Sequence, residues 1–482
     1  MDVLLVDPAL RRGVPEPYEN LGVASLAAAA RRGGFHTHTL LNHVEGWSRR
    51  RLGRELLERQ PAVLGLSLLS FHARPTLDLV RDLKQAGLRS RVVAGGHFPT
   101  FNDGRLLAER PEIDAVVRGE GDLSLVALLQ AWREGRDPVG VAGVSWRSPE
   151  GTIQVNPMRS LVEDLDTMPW PVRDHTDRII RAGGTLNLVR SRGCFANCAF
   201  CSIGSFYRMQ KGPAWRQRSV ADVVAEMESL TRRWPGVPVK FYDDQFIGPG
   251  RRGREDARAF AEALITRGSN VPFSIFARAD TVEPELFRVL KAAGLRSVFV
   301  GIESGSQREL DEFNKHTTVE DNLAALKVLQ GLDIRFQMGL IFFDPYTQMD
   351  DVQANMDFIR RTRPLWSTPG NVLSVENRAI VYKGTPFYER LKAEDRLKGD
   401  WMEVDYSLPD RGVRILMKIS HLYLNTLLPA VSLVRRLPDR LRRLGRNLHS
   451  LLTRQTRASE RWPVSTRPKV RGTSPTPEVH KN

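Results

Sequence analysis

A chain of 482 residues, 41% apolar and 26% charged, has the make-up of an ordinary globular protein of two or three domains. No uncharged run reaches the roughly 18 residues of a membrane span, and the opening run Met1–Asp7 is too short and too acidic for a signal peptide. The formal charge of +15 is concentrated late: from Arg411 onward 16 Lys/Arg face 3 Asp/Glu, about +13, so residues 1–410 are nearly neutral and a body-wide nucleic-acid surface is excluded.

Residues 1–145 alternate short apolar strands with helices. Strands are expected at 3–6, 63–69, 91–94 and 113–117, and helices at 22–31, 74–85 and 123–132. This alternation predicts a doubly wound parallel α/β sheet. Ligands of such sheets bind at the carboxyl ends of the strands, where small residues let them approach. Three loops qualify: Ser67-Leu68-Leu69, then Gly95-Gly96-His97 after 25 intervening residues, then Gly119-Glu120-Gly121. A hairpin is expected from 141–146 and 152–155, and Pro157, Pro169 and Pro171 mark a linker behind it.

Alternation resumes at about residue 185. Strands are expected at 186–190, 239–242, 273–276, 297–301, 336–342 and 372–381, with helices at 220–233, 255–267, 284–293, 319–331 and 350–361. Six such units imply a partial (β/α)6 barrel with its chemistry at the carboxyl ends of the strands. The first of these strands runs into Cys194-Phe195-Ala196-Asn197-Cys198-Ala199-Phe200-Cys201, a C-x3-C-x2-C motif that contains all three cysteines of the chain. Thiolates are the preferred ligands of iron–sulfur clusters, and a [4Fe–4S] cubane normally takes four of them. Three in one loop leave one iron without a protein ligand, and an open position is what a catalytic metal site needs. A structural zinc would want a fourth Cys or His, and the nearest histidine, His175, lies well upstream. With every cysteine committed, neither a second cysteine-bound cluster nor a methyl-carrying cysteine is available. Thiols that must stay reduced point to the cytoplasm.

The cysteine motif, the Arg190-Ser191-Arg192-Gly193 before it and the aromatic Phe200 inside it resemble the radical S-adenosylmethionine enzymes. The S-x-L and G-G loops in front resemble the cobalamin-binding Rossmann-like domain that some of those enzymes carry. The resemblance covers roughly residues 1–400 and implies this layout: a cobalamin-binding-type domain at 1–145, hairpin and linker at 146–182, and the partial barrel at 183–400. A helical basic extension at 401–452 and a disordered basic tail at 453–482 complete it. It further implies a cluster on Cys194, Cys198 and Cys201 whose open iron chelates S-adenosylmethionine, an electron from the cluster then giving a 5′-deoxyadenosyl radical. Phe200, Tyr242, Asp243, Asp244, Arg278, Glu303 and Ser304 are the implied S-adenosylmethionine contacts; Ser67, Leu69, Gly95, Gly96, Gly119 and Glu120 are those of cobalamin. The loop Asp7-Pro8-Ala9-Leu10-Arg11 departs from the D-x-H-x-x-G pattern that supplies a histidine to cobalt, as radical enzymes with this domain commonly do. His97 reads as a loop histidine with an ordinary role.

The resemblance implies methylation of an unactivated carbon, or of a phosphinate, in a small-molecule natural-product intermediate, with a flavodoxin- or ferredoxin-type electron donor. One alternative is a radical dehydratase, lyase or epimerase acting on a sugar such as an aminoglycoside intermediate, with a vestigial cobalamin domain. Another is an iron–sulfur sensor that grips RNA or an acidic membrane through its tail. The stretch 413–452, apolar and arginine-rich at helical spacing but broken by Pro429 and Pro438, is expected to dock on the body or as a peripheral contact on an anionic surface. An excess of 59 arginines over 12 lysines points to a GC-rich genome, where secondary metabolism is common.

Overall fold

The computed structural model describes residues 1–9, 17–366 and 378–422. Leu10 and Arg11 of the first loop, most of the sixth barrel strand, and the extension and tail beyond residue 422 lie outside the described residues.

The first sheet has seven strands in the spatial order His36–Leu41, Asp2–Asp7, Val63–Ser67, Arg91–Gly95, Ala115–Val117, Val144–Arg147, Ile153–Val155. The first five run parallel, and each of the last two pairs antiparallel with the strand before it. The parallel part has the chain order 2-1-3-4-5, so its switch point, where such sheets bind ligands, lies between Asp2–Asp7 and Val63–Ser67. Apolar runs such as Val3 to Val6 and Val92 to Ala94 are buried because helices cover both faces.

Three features of this half differ from expectation. The edge strand His36–Leu41 begins as alternating His and Thr, which masks an apolar strand pattern. The helix His97–Glu109 contains Pro99, Gly104 and a kink at Asn102, which erase any helical periodicity. The hairpin expected at the joint forms, Arg147 pairing with Ile153, but it joins the first sheet rather than standing apart, Val117 pairing with Val144.

The second sheet has five parallel strands in the order Arg335–Leu340, Leu295–Glu303, Phe273–Arg278, Val239–Phe241, Leu186–Leu188. Of the sixth expected strand only its far end is described, and there Arg378 bridges in parallel to Phe343, beyond the fifth strand. The barrel core contains Phe241, Phe246, Phe260, Phe273, Phe287 and Phe313, all fully buried. Each such side chain contributes about 1.5–3 kcal/mol. The segment expected to open a helical extension at 401 forms a second hairpin, Leu397–Gly399 with Val404–Tyr406, turned at Gly399 (φ +77°), and helix begins only at Arg411. No helix among the described residues is long and apolar enough to cross a membrane.

The two halves are clamped face to face. Glu120 of the first pairs with Arg216 of the second at 2.8 Å, and Asp122 with Arg192 at 2.8 Å. Trp401, in the turn of the second hairpin, donates to Glu109 at 2.6 Å and stacks on Phe98. These contacts hold the carboxyl ends of both sheets toward one shared space.

Candidate functional site

The cysteine loop is built on a buried acid. After Leu186–Leu188 the chain turns at Arg190, and Ser191–Gly193 pairs antiparallel with Trp215–Gln217. Asp243, at the end of the adjacent strand, accepts hydrogen bonds from the N–H of Arg190 (3.1 Å), the N–H of Ser191 (2.5 Å) and the Ser191 hydroxyl (2.6 Å). Arg190 itself is fully buried and donates to the Phe246 carbonyl at 2.8 Å and to Gln217 at 2.6 Å. The expectation that Asp243 contacts a ligand is therefore corrected: its carboxylate is consumed in fixing the entry to the cysteine loop.

Cys194, Cys198 and Cys201 follow, and the helix Ser202–Arg208 starts directly after the last. Burial pushes the Cys201 thiol up to about 12 and raises Cys194 as well. Left alone these thiols stay protonated; a bound metal ion is what makes thiolates of them. Two cations stand by. Arg278 Nη1 lies 3.8 Å from Cys198 Sγ, with its other nitrogens on Asp280 and the Lys315 carbonyl. Lys315, itself buried, pairs with Glu303 at 2.9 Å across Gly301. Three clustered thiols flanked by buried cations fit an anionic iron–sulfur cluster better than a neutral thiol packing. Arg278 and Glu303 thus lie on the cysteine side, as strand-end residues should. Phe200 packs edge-on against Phe313 at 5.3 Å and locks the loop to the barrel. Ser304 does not reach the site: it is fully buried and bonded to Glu309 (2.6 Å) and Asn355 (2.9 Å). In that network burial, with Asp344 nearby, pushes Glu309 up to about 8.

Between the two halves lies a mainly apolar cavity of about 430 Å³. Its sheet side comprises Leu5, Val6, Ser67, Gly95, Gly96, Gly119 and Glu120; its barrel side includes Arg192, Tyr207, Tyr242 and Asp244. Gly96 has φ +99°, and a Cβ there would meet the Leu68 carbonyl at 2.9 Å, so only glycine lets this wall pass so close to the Leu68 backbone. Leu69, expected here, is not among the lining residues; its side chain is 40% exposed at the start of the helix Ser70–Gln85. Glu120 reaches the cavity wall but is held by Arg216. Asp244 opens into the cavity while protein surrounds it, and burial, reinforced by Asp243, pushes its carboxyl up to about 6. A glycine-rimmed, apolar-walled space at the carboxyl ends of a 2-1-3-4-5 sheet fits a large planar cofactor with polar edges.

The lining includes Tyr18, which was not among the expected contacts, and His97, which was read as a loop histidine with an ordinary role. His97 stacks on Phe206 (4.2 Å between centroids), approaches the Ser202 hydroxyl at 3.3 Å, and is pushed down to about 4 by burial, so it is a neutral imidazole. Tyr18 stacks on His43 at 4.3 Å and faces Tyr242 at 6.1 Å. The available signal was position: residues 17–20 lead from the first strand to its helix, at the binding end of the sheet.

Comparison with known proteins agrees with this division. The B12 binding domain family matches residues 9–129 and the Radical SAM superfamily residues 188–359. The chain is 28% identical over 390 residues to the 4′-phospho-dehydrooxetanocin synthase of Priestia megaterium, covering 75% of this chain and 51% of that one. It is 25% identical over 369 residues to the cytidylyl-2-hydroxyethylphosphonate methyltransferase of Streptomyces wedmorensis, covering 65% and 67%. The chain thus spans about half the length of the first relative and two thirds of the second. Among solved structures, the cobalamin-dependent S-adenosylmethionine radical enzyme OxsB, with aqua-cobalamin and S-adenosylmethionine bound, superposes with a TM-score of 0.76 at 21% identity, over 88% of this chain and 66% of that one. At that identity the likeness is one of fold.

Proposed function

Since the chain belongs to the radical S-adenosylmethionine superfamily and carries a B12 binding domain ahead of its barrel, we propose that it transfers a methyl group to an unactivated carbon, or a phosphinate, of a small-molecule intermediate. Membership of an enzyme family sets the sensor alternative aside. The observation that carries the reading is the single cavity whose walls join the glycine rim of the first sheet to the barrel residues beside the cysteine loop.

In this reading Cys194, Cys198 and Cys201 would hold a [4Fe–4S] cluster, and Ser67, Gly95, Gly96 and Gly119 would line the place of cobalamin. When bound, these groups and S-adenosylmethionine supply a low-potential electron, a hydrogen-abstracting radical and a methyl carrier. The chain's own residues tune and position. Arg278 and Lys315 offset the negative charge of the three thiolates. Asp244, beside Tyr242 and open to the cavity, is placed to hold an ammonium group by a charge-assisted hydrogen bond. Glycines at the rim let its loops pack closely against Leu68, Val117 and Gln210, and so set the shape of the wall. An external flavodoxin- or ferredoxin-type protein delivers the electron.

The product ratio tests this. A methylase consumes one S-adenosylmethionine as methyl donor and another as radical source. Anaerobic turnover should therefore release S-adenosylhomocysteine and 5′-deoxyadenosine in equal amounts. Release of 5′-deoxyadenosine with product but without S-adenosylhomocysteine overturns methyl transfer in favour of a lyase, dehydratase or epimerase. That second reading draws on the first relative being a synthase rather than a methyltransferase.

A further inference from the structure

A second set of metal-ligating side chains stands at the opposite end of the first sheet. Asp2 opens the strand Asp2–Asp7, and His36 opens its parallel neighbour, the edge strand His36–Leu41, directly in register with it. Side chains two apart on a strand share a face, so His38 stands beside His36. Asp2 Oδ1 lies 3.2 Å from His36 Nδ1 and 3.8 Å from His38 Nε2, and the two imidazole rings meet edge to face at 4.6 Å. The three ligand atoms are all within 4.8 Å of one another. A zinc ion bound at about 2.0–2.2 Å to imidazole nitrogen and carboxylate oxygen sets tetrahedral ligands about 3.3 Å apart. Small side-chain rotations bring this trio to that spacing, and the side chains, 46–74% exposed, have room both to make them and to admit water as a fourth ligand.

The ordinary role of polar residues on an edge strand is to discourage another strand from adding there. That role is filled by any exposed charged or polar side chain. It does not require two imidazoles, one opposite Asp2 and one two residues further along the same strand, to converge on one carboxylate oxygen.

We propose that Asp2, His36 and His38 form a site for a divalent transition-metal ion, zinc foremost, that clips the edge strand to the first strand of the chain. Imidazole and carboxylate donors without thiolate suit zinc, nickel and copper. The site lies at the amino ends of the strands and the cavity at their carboxyl ends, so the ion is structural and takes no part in the radical chemistry. It holds together the paired ends of these two strands. This inference is independent of the proposed reaction.

The test is calorimetric titration of zinc chloride into the cluster-loaded protein, its thiols already occupied. One equivalent is expected to bind with micromolar affinity and to raise the unfolding temperature. Affinity should fall at least about tenfold in the double variant His36→Ala/His38→Ala, whose exposed side chains can be truncated without disturbing the core. The double variant should cleave S-adenosylmethionine at the wild-type rate. A chain with Cys194, Cys198 and Cys201 all replaced by serine should keep the site, which separates it from the thiols. Equal zinc affinity in wild type and double variant, loss of the site in the cysteine-free chain, or no binding tighter than about 100 µM in the wild type overturns the proposal.

Discussion

Replacing Cys198 by alanine is expected to abolish reductive cleavage of S-adenosylmethionine, a loss of at least about 10³-fold. The chain has three cysteines in all, so no spare thiolate can take over the vacated iron. Arg278 Nη1, 3.8 Å from the Cys198 sulfur, would be left facing the gap. Iron per chain should drop from about four to well under one after anaerobic reconstitution. The fold should survive, because losing one buried sulfur costs on the order of 1 kcal/mol. Iron analysis and 5′-deoxyadenosine release, read against an unchanged circular dichroism spectrum, decide it. Cleavage retained in the variant would mean that the cluster is held elsewhere.

The second large effect should come from a residue that touches no cofactor. Asp243→Ala removes the acceptor of three buried hydrogen bonds, from the N–H groups of Arg190 and Ser191 and from the Ser191 hydroxyl. Leaving buried donors without an acceptor costs about 1–3 kcal/mol each, which for a domain of this size lowers the unfolding midpoint by about 10 °C. The entry to the cysteine loop should loosen too, so reconstituted iron should fall although every thiol is present. Asp243→Asn keeps an oxygen acceptor and should lose less on both counts. An unchanged melting temperature and full iron content in Asp243→Ala would show that the loop is held by its cysteines alone.

That reassignment of Asp243 shows where the sequence stops being legible. Tyr242-Asp243-Asp244 is visible as a polar strand end, but successive side chains there leave in opposite directions. Asp244 enters the cavity and Asp243 goes into the body, and nothing in the pair of letters says which. Glu303 and Ser304 divide the same way, one toward Lys315 and the other into the Glu309 network. The cysteines were legible because thiolate chemistry imposes a spacing, and the glycine rim because close approach imposes a residue type. The parallel sheets were legible from apolar runs of strand length. His36–Leu41 was not, its first four residues carrying the imidazoles and hydroxyls of an open edge. Tyr18 and His97 belong to the cavity through tertiary packing on His43 and Phe206, contacts that no local pattern announces.

In the proposed function the space between sheet and barrel is a cobalamin site. Bound cobalamin is measured by the visible spectrum and cobalt content of protein purified anaerobically from cobalamin-supplied cells. The account predicts about one cobalamin per chain in the wild type. In Gly96→Val it predicts a background level, since the left-handed backbone and the Leu68 carbonyl 2.9 Å away leave no room for a branched side chain, with iron content in the variant unchanged. Wild-type protein that cleaves S-adenosylmethionine and turns over substrate with no cobalamin bound would contradict it.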